Sequence, residues 1–203
     1  MNITVIIIAI TSVLSIIAFS NKALFEKLKF NAFRIHNDKE WYRIFTHALL
    51  HANWLHLIIN MLVFYSFGRA VEMYFAYYFG PKGSLFYLVL YVTAIVFSVL
   101  YSVNKYKDDI FYNAVGASGA VSAVVFTAIF FDPWNLLYFF GMIPIPGIIF
   151  GIGYLIYSYV MGKREQGFIA HDVHFWGSVY GFVFPLLIKH QLIWLFLHKL
   201  LGG

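Results

Sequence analysis

The sequence predicts an all-α membrane protein, a single domain built from a bundle of six transmembrane helices. Hydrophobic residues make up 62% of the 203 residues and charged residues only 11%, whereas soluble domains are about half apolar and about a quarter charged. The apolar residues also fall into separate runs bounded by short polar segments. A helix of about 20 residues crosses the hydrocarbon core of a bilayer. We therefore predict one membrane domain over residues 1–203.

Six apolar segments are predicted to be the membrane helices. They cover residues 3–19, 54–76, 81–103, 116–131, 144–161 and 171–188. No basic residue precedes the first segment, so we interpret it as a retained helix rather than a signal peptide. The fourth segment spans about 24 Å as a helix, which is less than the roughly 30 Å of the bilayer core. We expect one of its ends to lie inside the membrane.

The longest polar interval, residues 21–53, mixes cationic and aromatic side chains. The cations are Lys22, Lys27, Lys29, Arg34, Lys39 and Arg43, and the aromatic residues are Phe25, Phe30, Phe33, Trp41 and Phe45. This mixture is typical of segments that lie at the membrane interface. The prediction is an interfacial first loop with short helices half-buried among lipid headgroups, and an ordinary solvated loop is the alternative.

Charge and cysteine content exclude several classes of function. The formal net charge is +5, but no dense basic run exists. We therefore expect the loop lysines to contact membrane lipid, and we expect no nucleic acid partner. The chain contains no cysteine, which excludes disulfide bonds, thiolate chemistry and cysteine-based zinc sites.

A candidate nucleophile lies at the start of the fourth predicted helix. Ser118 is flanked there by Gly116, Ala117, Gly119 and Ala120. Small residues let a second helix approach the backbone closely, and a helix start offers unpaired N–H groups and the positive end of the helix dipole. Such surroundings suit a reactive hydroxyl, provided that a base comes alongside.

The candidate base is His174, at the start of the sixth predicted helix. Gly177 and Gly181 follow it with the GxxxG spacing that lets two membrane helices press together. The small-residue face of the fourth helix is the natural neighbour. Glycine packed on glycine would bring His174 within hydrogen-bond reach of Ser118, which is an activated-nucleophile arrangement.

Two polar residues of the second predicted helix are expected at the same depth in the membrane as Ser118 and His174. His56 and Asn60 lie four residues apart, so they share one helix face, and polar groups at such depth face the bundle interior. They could stabilise an oxyanion together with the backbone N–H of Ser118. Helix–helix hydrogen bonding is the alternative role.

These segments together resemble the rhomboid family of intramembrane serine proteases. The resemblance is carried by Trp41-Tyr-Arg-Ile-Phe-Thr-His-Ala-Leu-Leu-His51, His56-Leu-Ile-Ile-Asn60, Gly116-Ala-Ser-Gly119 and His174-Phe-Trp-Gly-Ser-Val-Tyr-Gly181. Each piece alone is weakly specific. Their order, spacing and placement on a six-helix chain fit the family over about residues 41–184, so the expected fold is a rhomboid-like bundle.

The resemblance also implies roles for individual residues. Ser118 corresponds to the nucleophile and His174 to the general base of a dyad without a third carboxylate, and His56, Asn60 and the Ser118 backbone correspond to the oxyanion hole. The supporting motif residues are Gly116, Gly119, Gly177, Gly181, Arg43, His47 and His51. Ser122 is a departure, because several relatives have an aromatic residue there that stacks on the catalytic imidazole.

The function implied by the resemblance is an intramembrane serine endopeptidase that cleaves transmembrane protein substrates, with no cofactor and no metal. A catalytically silent rhomboid-like protein that binds transmembrane segments is the alternative. Zinc is a further alternative, since His47 with His51 and His171 with His174 have ligand-like spacing, but no Glu follows His47 as in metalloproteases. A transporter would need charges or broken helices at the bilayer midplane, and the near absence of such features argues against that function.

Two loop and helix features complete the predictions. Pro146, Gly147, Gly151 and Gly153 make the fifth helix a candidate lateral gate, and residues 162–170 are a candidate cap over the site. The sequence makes no prediction of oligomeric state.

The orientation in the membrane is predicted differently by two arguments. The first, third and fifth loops hold ten of the fourteen Lys and Arg residues, so the positive-inside rule places the active-site side in the cytoplasm. The family resemblance implies the reverse. We follow the resemblance and expect a multi-pass protein of a bacterial-type plasma membrane, with the site opening to the outer side.

Overall fold

The computed structural model describes residues 2–139, 142–164 and 170–202. Within these residues the chain forms ten α-helices and four short β-strands. The helices are α1 (Ile3–Ser20), α2 (Lys22–Leu28), α3 (Ala32–Asn37), α4 (Arg43–Thr46), α5 (Trp54–Phe79), α6 (Gly83–Lys105), α7 (Ser118–Phe131), α8 (Gly147–Arg164), α9 (His171–Ile188) and α10 (Leu192–Leu200). The strands are β1 (Phe30–Asn31), β2 (Asn113–Ala114), β3 (Leu136–Phe139) and β4 (Ile143–Pro146).

The fold is mostly helical, but the all-α prediction was wrong at two places. Strand β1 in the first loop pairs antiparallel with β2 in the loop before α7, with Phe30 opposite Ala114. Strands β3 and β4 form a hairpin between α7 and α8. Pro144 and Pro146 lie in β4, and a residue that precedes proline is biased towards extended backbone. Helix α8 therefore begins at Gly147 rather than at residue 144.

Helix α7 is the centre of the bundle. All thirteen residues from Gly119 to Phe131 are buried, and the helix packs against α5, α6 and α9. A helix that is apolar on every side is expected to be enclosed by other helices. Its 14 residues span about 21 Å, which is less than the roughly 30 Å of the bilayer core.

Glycines bring α9 into backbone contact with α7. A Cβ atom on Gly177 would lie 2.2 Å from the Gly119 carbonyl oxygen, and one on Gly181 would lie 2.0 Å from the Ala123 carbonyl oxygen. The Thr127 hydroxyl also donates a hydrogen bond to the Gly181 carbonyl oxygen, at 2.7 Å. These contacts fix the register of α9 on α7, as the small-residue pattern predicted.

Two helical stretches among the described residues are long and apolar enough to cross a membrane. They are Ile3–Ser20 and the run Trp54–Lys105, which contains α5 and α6. The outer faces of these helices expose large apolar side chains such as Ile10, Val13 and Leu62, as expected of surfaces in contact with lipid. The total of six spans and the interfacial position of the first loop stay predictions.

Candidate active site

Ser118 and His174 are hydrogen-bonded to each other. The Ser118 Oγ atom lies 2.7 Å from the His174 Nε2 atom. Ser118 is the first residue of α7, and His174 lies in the first turn of α9. The predicted pair, 56 residues apart in sequence, is therefore brought together where two helices begin.

Gly119 allows three helices to converge beside this pair. A Cβ atom at Gly119 would lie 2.5 Å from Ser98 Oγ of α6 and 2.8 Å from a methyl group of Val173 of α9. Real Cβ atoms do not approach other atoms so closely, so only glycine fits here without a shift of the neighbours. The close packing places His174 at the level of Ser118.

Gly116 brings His56 next to the loop that precedes the serine. Its φ of +122° lies where side chains are disfavoured, and a Cβ atom there would lie 2.8 Å from the Cε1 atom of His56 and 3.0 Å from its Nε2 atom. The Ala52 backbone N–H donates to His56 Nδ1 at 3.4 Å. In a neutral imidazole the other nitrogen then carries the proton, so Nε2–H is the donor that faces Gly116.

Asn60 lies one turn below His56 on the same face of α5. Its side chain is buried, with 7% of its surface exposed, and its Nδ2 atom donates to the His56 carbonyl oxygen at 3.0 Å. One of its two amide protons is used by this bond. The role of Asn60 in an oxyanion hole stays a prediction.

Arg43 joins separate parts of the first loop. Its guanidinium is buried, with 2% exposed, and it pairs with Glu40. Its Nη1 atom donates to the carbonyl oxygens of Glu26 at 2.9 Å and Lys29 at 2.8 Å. Arg43 therefore supports the loop around the site and does not contact the serine–histidine pair through these bonds.

The two loop histidines also act as supports. The His47 carbonyl oxygen accepts from the Gly116 backbone N–H at 3.0 Å, and burial lowers the pKa of the His47 ring to about 4, despite backbone hydrogen bonds that oppose the shift. His51 Nδ1 is hydrogen-bonded to Ser15 Oγ of α1 at 2.9 Å. Burial, with a smaller contribution from His56, lowers its pKa to about 3. Both rings are therefore neutral at pH 7.

Tyr154 of α8 is a site residue that sequence reasoning missed. Its ring stacks on that of His174, with centroids 6.3 Å apart and planes 20° apart, and its hydroxyl is 3.1 Å from Ser122 Oγ. The aromatic neighbour that Ser122 cannot provide thus comes from another helix. A tyrosine in an apolar helix was the available signal, but its partner depends on how α8 packs.

Asp172, two residues before His174, anchors the start of α9. Its buried carboxylate accepts from Ser102 Oγ of α6 at 2.8 Å and from the Tyr112 hydroxyl at 3.5 Å. It also accepts from the Val173 backbone N–H at 3.0 Å. These bonds hold the start of α9 against the end of α6 and the loop before α7.

The remaining predicted features are distributed as follows. Among the described residues, no group of three or more His, Cys, Asp or Glu side chains could hold a metal ion. On the candidate gate helix, Gly147 and Gly151 pack towards α7, whereas Gly153 faces open space. Residues 165–169 of the candidate cap lie outside the described residues.

The fold and site define a helical membrane protein in which a serine at the start of a buried helix is hydrogen-bonded to a histidine of the neighbouring helix. A family model described as the Rhomboid domain matches residues 38–191, which is more than half of the chain. The chain belongs to the rhomboid family, and the resemblance read from its motifs is confirmed. Rhomboid proteins are membrane proteins, so this chain is an integral membrane protein.

One curated relative is a plant protein, RHOMBOID-like protein 12, mitochondrial, from Arabidopsis thaliana. It is 31% identical over 117 residues, a match that covers 54% of this chain and 35% of the relative. The chain therefore spans about a third of the length of the relative that it matches.

Proposed function

We propose that the chain is an intramembrane serine endopeptidase that cleaves transmembrane segments of membrane-protein substrates. The observation that supports this most directly is the 2.7 Å contact between Ser118 Oγ and His174 Nε2. A hydroxyl within hydrogen-bond reach of an imidazole is the arrangement of an activated nucleophile. Family membership alone does not decide activity, so the proposal depends on this pair.

The proposed reaction begins with proton transfer from Ser118 to His174. As Nε2 accepts the proton, Oγ attacks a peptide carbonyl carbon of the substrate. The imidazolium then donates its proton to the leaving amine, which departs and leaves an acyl-enzyme on Ser118. A water molecule, deprotonated by the same imidazole, hydrolyses the ester and restores the serine.

The oxyanion of the tetrahedral intermediate needs donors on one side of Ser118. The first N–H groups of a helix have no partner within that helix, and Ser118 is the first residue of α7. The His56 Nε2–H group faces the preceding Gly116. We assign these two donors to the oxyanion, with the second amide proton of Asn60 as a third.

The substrate class follows from the position of the site in a membrane bundle. A transmembrane helix protects its own peptide bonds by hydrogen bonding them internally. A scissile peptide must leave the helix before Ser118 can reach it. We therefore expect cleavage near the end of a substrate helix, at small residues where the helix is weak.

The membrane and its orientation are part of the proposal. A bacterial-type plasma membrane with the site opening outward follows from the family resemblance, whereas the matched relative is named as mitochondrial. Which membrane holds this chain, and in which orientation, stays a prediction.

A serine-reactive fluorophosphonate probe on the purified full chain tests the proposal. We expect labelling of the wild type and of Ser66→Ala, a control serine exposed on α5 that donates only to its own helix. Labelling should disappear in Ser118→Ala. Labelling that survives Ser118→Ala would contradict the assigned nucleophile, and a wild type that binds transmembrane segments but never reacts would support the silent alternative.

A further inference from the structure

Tyr154 contacts two other helices at a single ring. Its aromatic face stacks on the His174 imidazole of α9 with a centroid separation of 6.3 Å, within the range of about 4.5–7 Å at which aromatic rings attract each other. Its hydroxyl is hydrogen-bonded to Ser122 of α7 at 3.1 Å. One side chain of α8 therefore links α7, α8 and α9.

The stacked ring limits the orientations that His174 can adopt. The hydrogen bond from Nε2 to Ser118 Oγ fixes one edge of the imidazole, but a single bond leaves the ring free to tilt. His171 contacts the same imidazole edge-on, with centroids 6.2 Å apart and planes 80° apart. Tyr154 adds a nearly parallel surface, which restrains the tilt.

The hydrogen bond between the Tyr154 hydroxyl and Ser122 connects the Tyr154 ring to α7, the helix that carries Ser118. Ser122 lies four residues after Ser118 on α7, so the two share a helix face. Tyr154 is thereby fastened one turn below the nucleophile while its ring supports the base. The distance between α8 and α7 at this level determines where the ring lies.

Below Tyr154, the packing of α8 is open. A half-open groove of about 230 Å³ lies between α7, α8 and α9. Its lining is apolar and includes Phe126, Ile129, Gly151, Leu155, Val179 and Phe182. Along this groove α8 packs more against α9 than against α7, so a shift of α8 away from α7 breaks few contacts.

We propose that Tyr154 is a positioning residue for His174 and that, because it belongs to α8, the orientation of His174 depends on where α8 lies. This inference rests on the proposed function of the Ser118–His174 pair. When α8 is seated, the Tyr154–Ser122 bond holds the ring against the imidazole. When α8 moves away from α7, that bond breaks, the ring withdraws and His174 loses its alignment with Ser118.

The test compares four variants of the full chain. Tyr154→Leu removes the ring, and Tyr154→Phe keeps the ring but removes the hydroxyl bond. The exchange Tyr154→Ser with Ser122→Tyr returns an aromatic residue to the same space from α7 with little change in volume. Tyr159→Leu is the control, since Tyr159 lies on the same helix and contacts Phe175 instead.

The first readout is the rate at which a fluorophosphonate labels Ser118 as a function of pH. Tyr154→Leu should label about three- to tenfold more slowly, from the usual strength of an aromatic pair, and the pH midpoint of labelling should move. Tyr154→Phe should fall between Tyr154→Leu and the wild type. The exchange variant should recover most of the rate, and Tyr159→Leu should match the wild type.

The second readout does not need activity. In protein labelled with ¹⁵N-histidine, the His174 ring signal, assigned by its loss in His174→Gln, should shift in Tyr154→Leu but not in Tyr159→Leu. An unreactive wild type with this shift would refute the protease proposal while supporting the contact. An unchanged labelling rate, pH midpoint and His174 ring signal in Tyr154→Leu would overturn the inference. If Tyr154→Leu fails to fold, the same three measurements on Tyr154→Phe and on the exchange variant decide instead.

Discussion

Gly177 of α9 lies directly on Gly119 of α7, so closely that a Cβ atom on Gly177 would be 2.2 Å from the Gly119 carbonyl oxygen. The contact is close to both members of the hydrogen-bonded pair, since Gly119 directly follows Ser118 and Gly177 lies about one turn after His174. The position of the base relative to the serine is therefore set by backbone packing.

Substitution of Gly177 by alanine should separate the pair. The added methyl group meets backbone atoms, which cannot rotate away, so α9 must shift. We expect a loss of about 1–3 kcal/mol in the free energy of unfolding, as for other overpacked sites, and a fall in Ser118 labelling of at least tenfold. Gly153→Ala is the matched control, because a Cβ atom there meets nothing within 4 Å. Wild-type labelling in Gly177→Ala would contradict this account.

The oxyanion donors can be tested by removing one at a time. His56→Ala should slow Ser118 labelling by about 10²–10³-fold, since a lost oxyanion donor typically costs about 2.7–4 kcal/mol of barrier. Asn60→Ala should have a similar effect if its second amide proton is used. The measurement is the labelling rate beside His36→Ala, an exposed histidine of α3. Rates equal to that control would remove the tested side chain from the oxyanion hole.

The first loop should depend on Arg43 for stability. Arg43→Lys keeps the charge but loses the fork that reaches Glu40 and the two carbonyl oxygens of Glu26 and Lys29. We expect a loss of about 2–3 kcal/mol in the free energy of unfolding, measured by denaturation in detergent. Arg34→Lys, at an exposed position of α3, should change little. Equal stabilities for the two variants would show that the buried guanidinium is dispensable.

The sequence spacing predicts which helices meet at the site, but it does not predict contacts that depend on how distant segments pack. The Gly177–Gly181 pair and the small residues around Ser118 specify that α9 and α7 meet, so Ser118 and His174 could be paired from the sequence. Tyr154 could not be found, because its contacts depend on how α8 packs. The strands β1 and β2 were missed because two-residue pairings between distant loops leave no periodic pattern.

Acid should destabilise the fold through the loop histidines. The pKa of His47 is lowered by burial from its usual value to about 4 in the folded protein, so the unfolded chain binds the proton more strongly. The stabilising contribution is complete above about pH 6.5 and is lost as the pH falls from there towards 4, by on the order of 3 kcal/mol. In thermal unfolding scans over this range, His47→Gln should show a weaker pH dependence than His36→Gln. Identical slopes would contradict the burial argument.

Orientation can be measured with single cysteines, since the chain has none of its own. Phe111, 87% exposed before α7, and Met142, 77% exposed in the hairpin after it, report opposite ends of that helix. If the site opens outward, an impermeant maleimide added to intact bacterial cells should label Phe111→Cys, and Met142→Cys only after permeabilisation. The reverse pattern would support the positive-inside assignment.

The most direct test of the central claim is the mass-spectrometric location of the fluorophosphonate adduct in the wild type and in His174→Gln. We expect an adduct on Ser118 of the wild type and at least a hundredfold less in His174→Gln, because the hydroxyl then lacks its base. An adduct on another residue, or full modification of Ser118 without His174, would contradict this prediction.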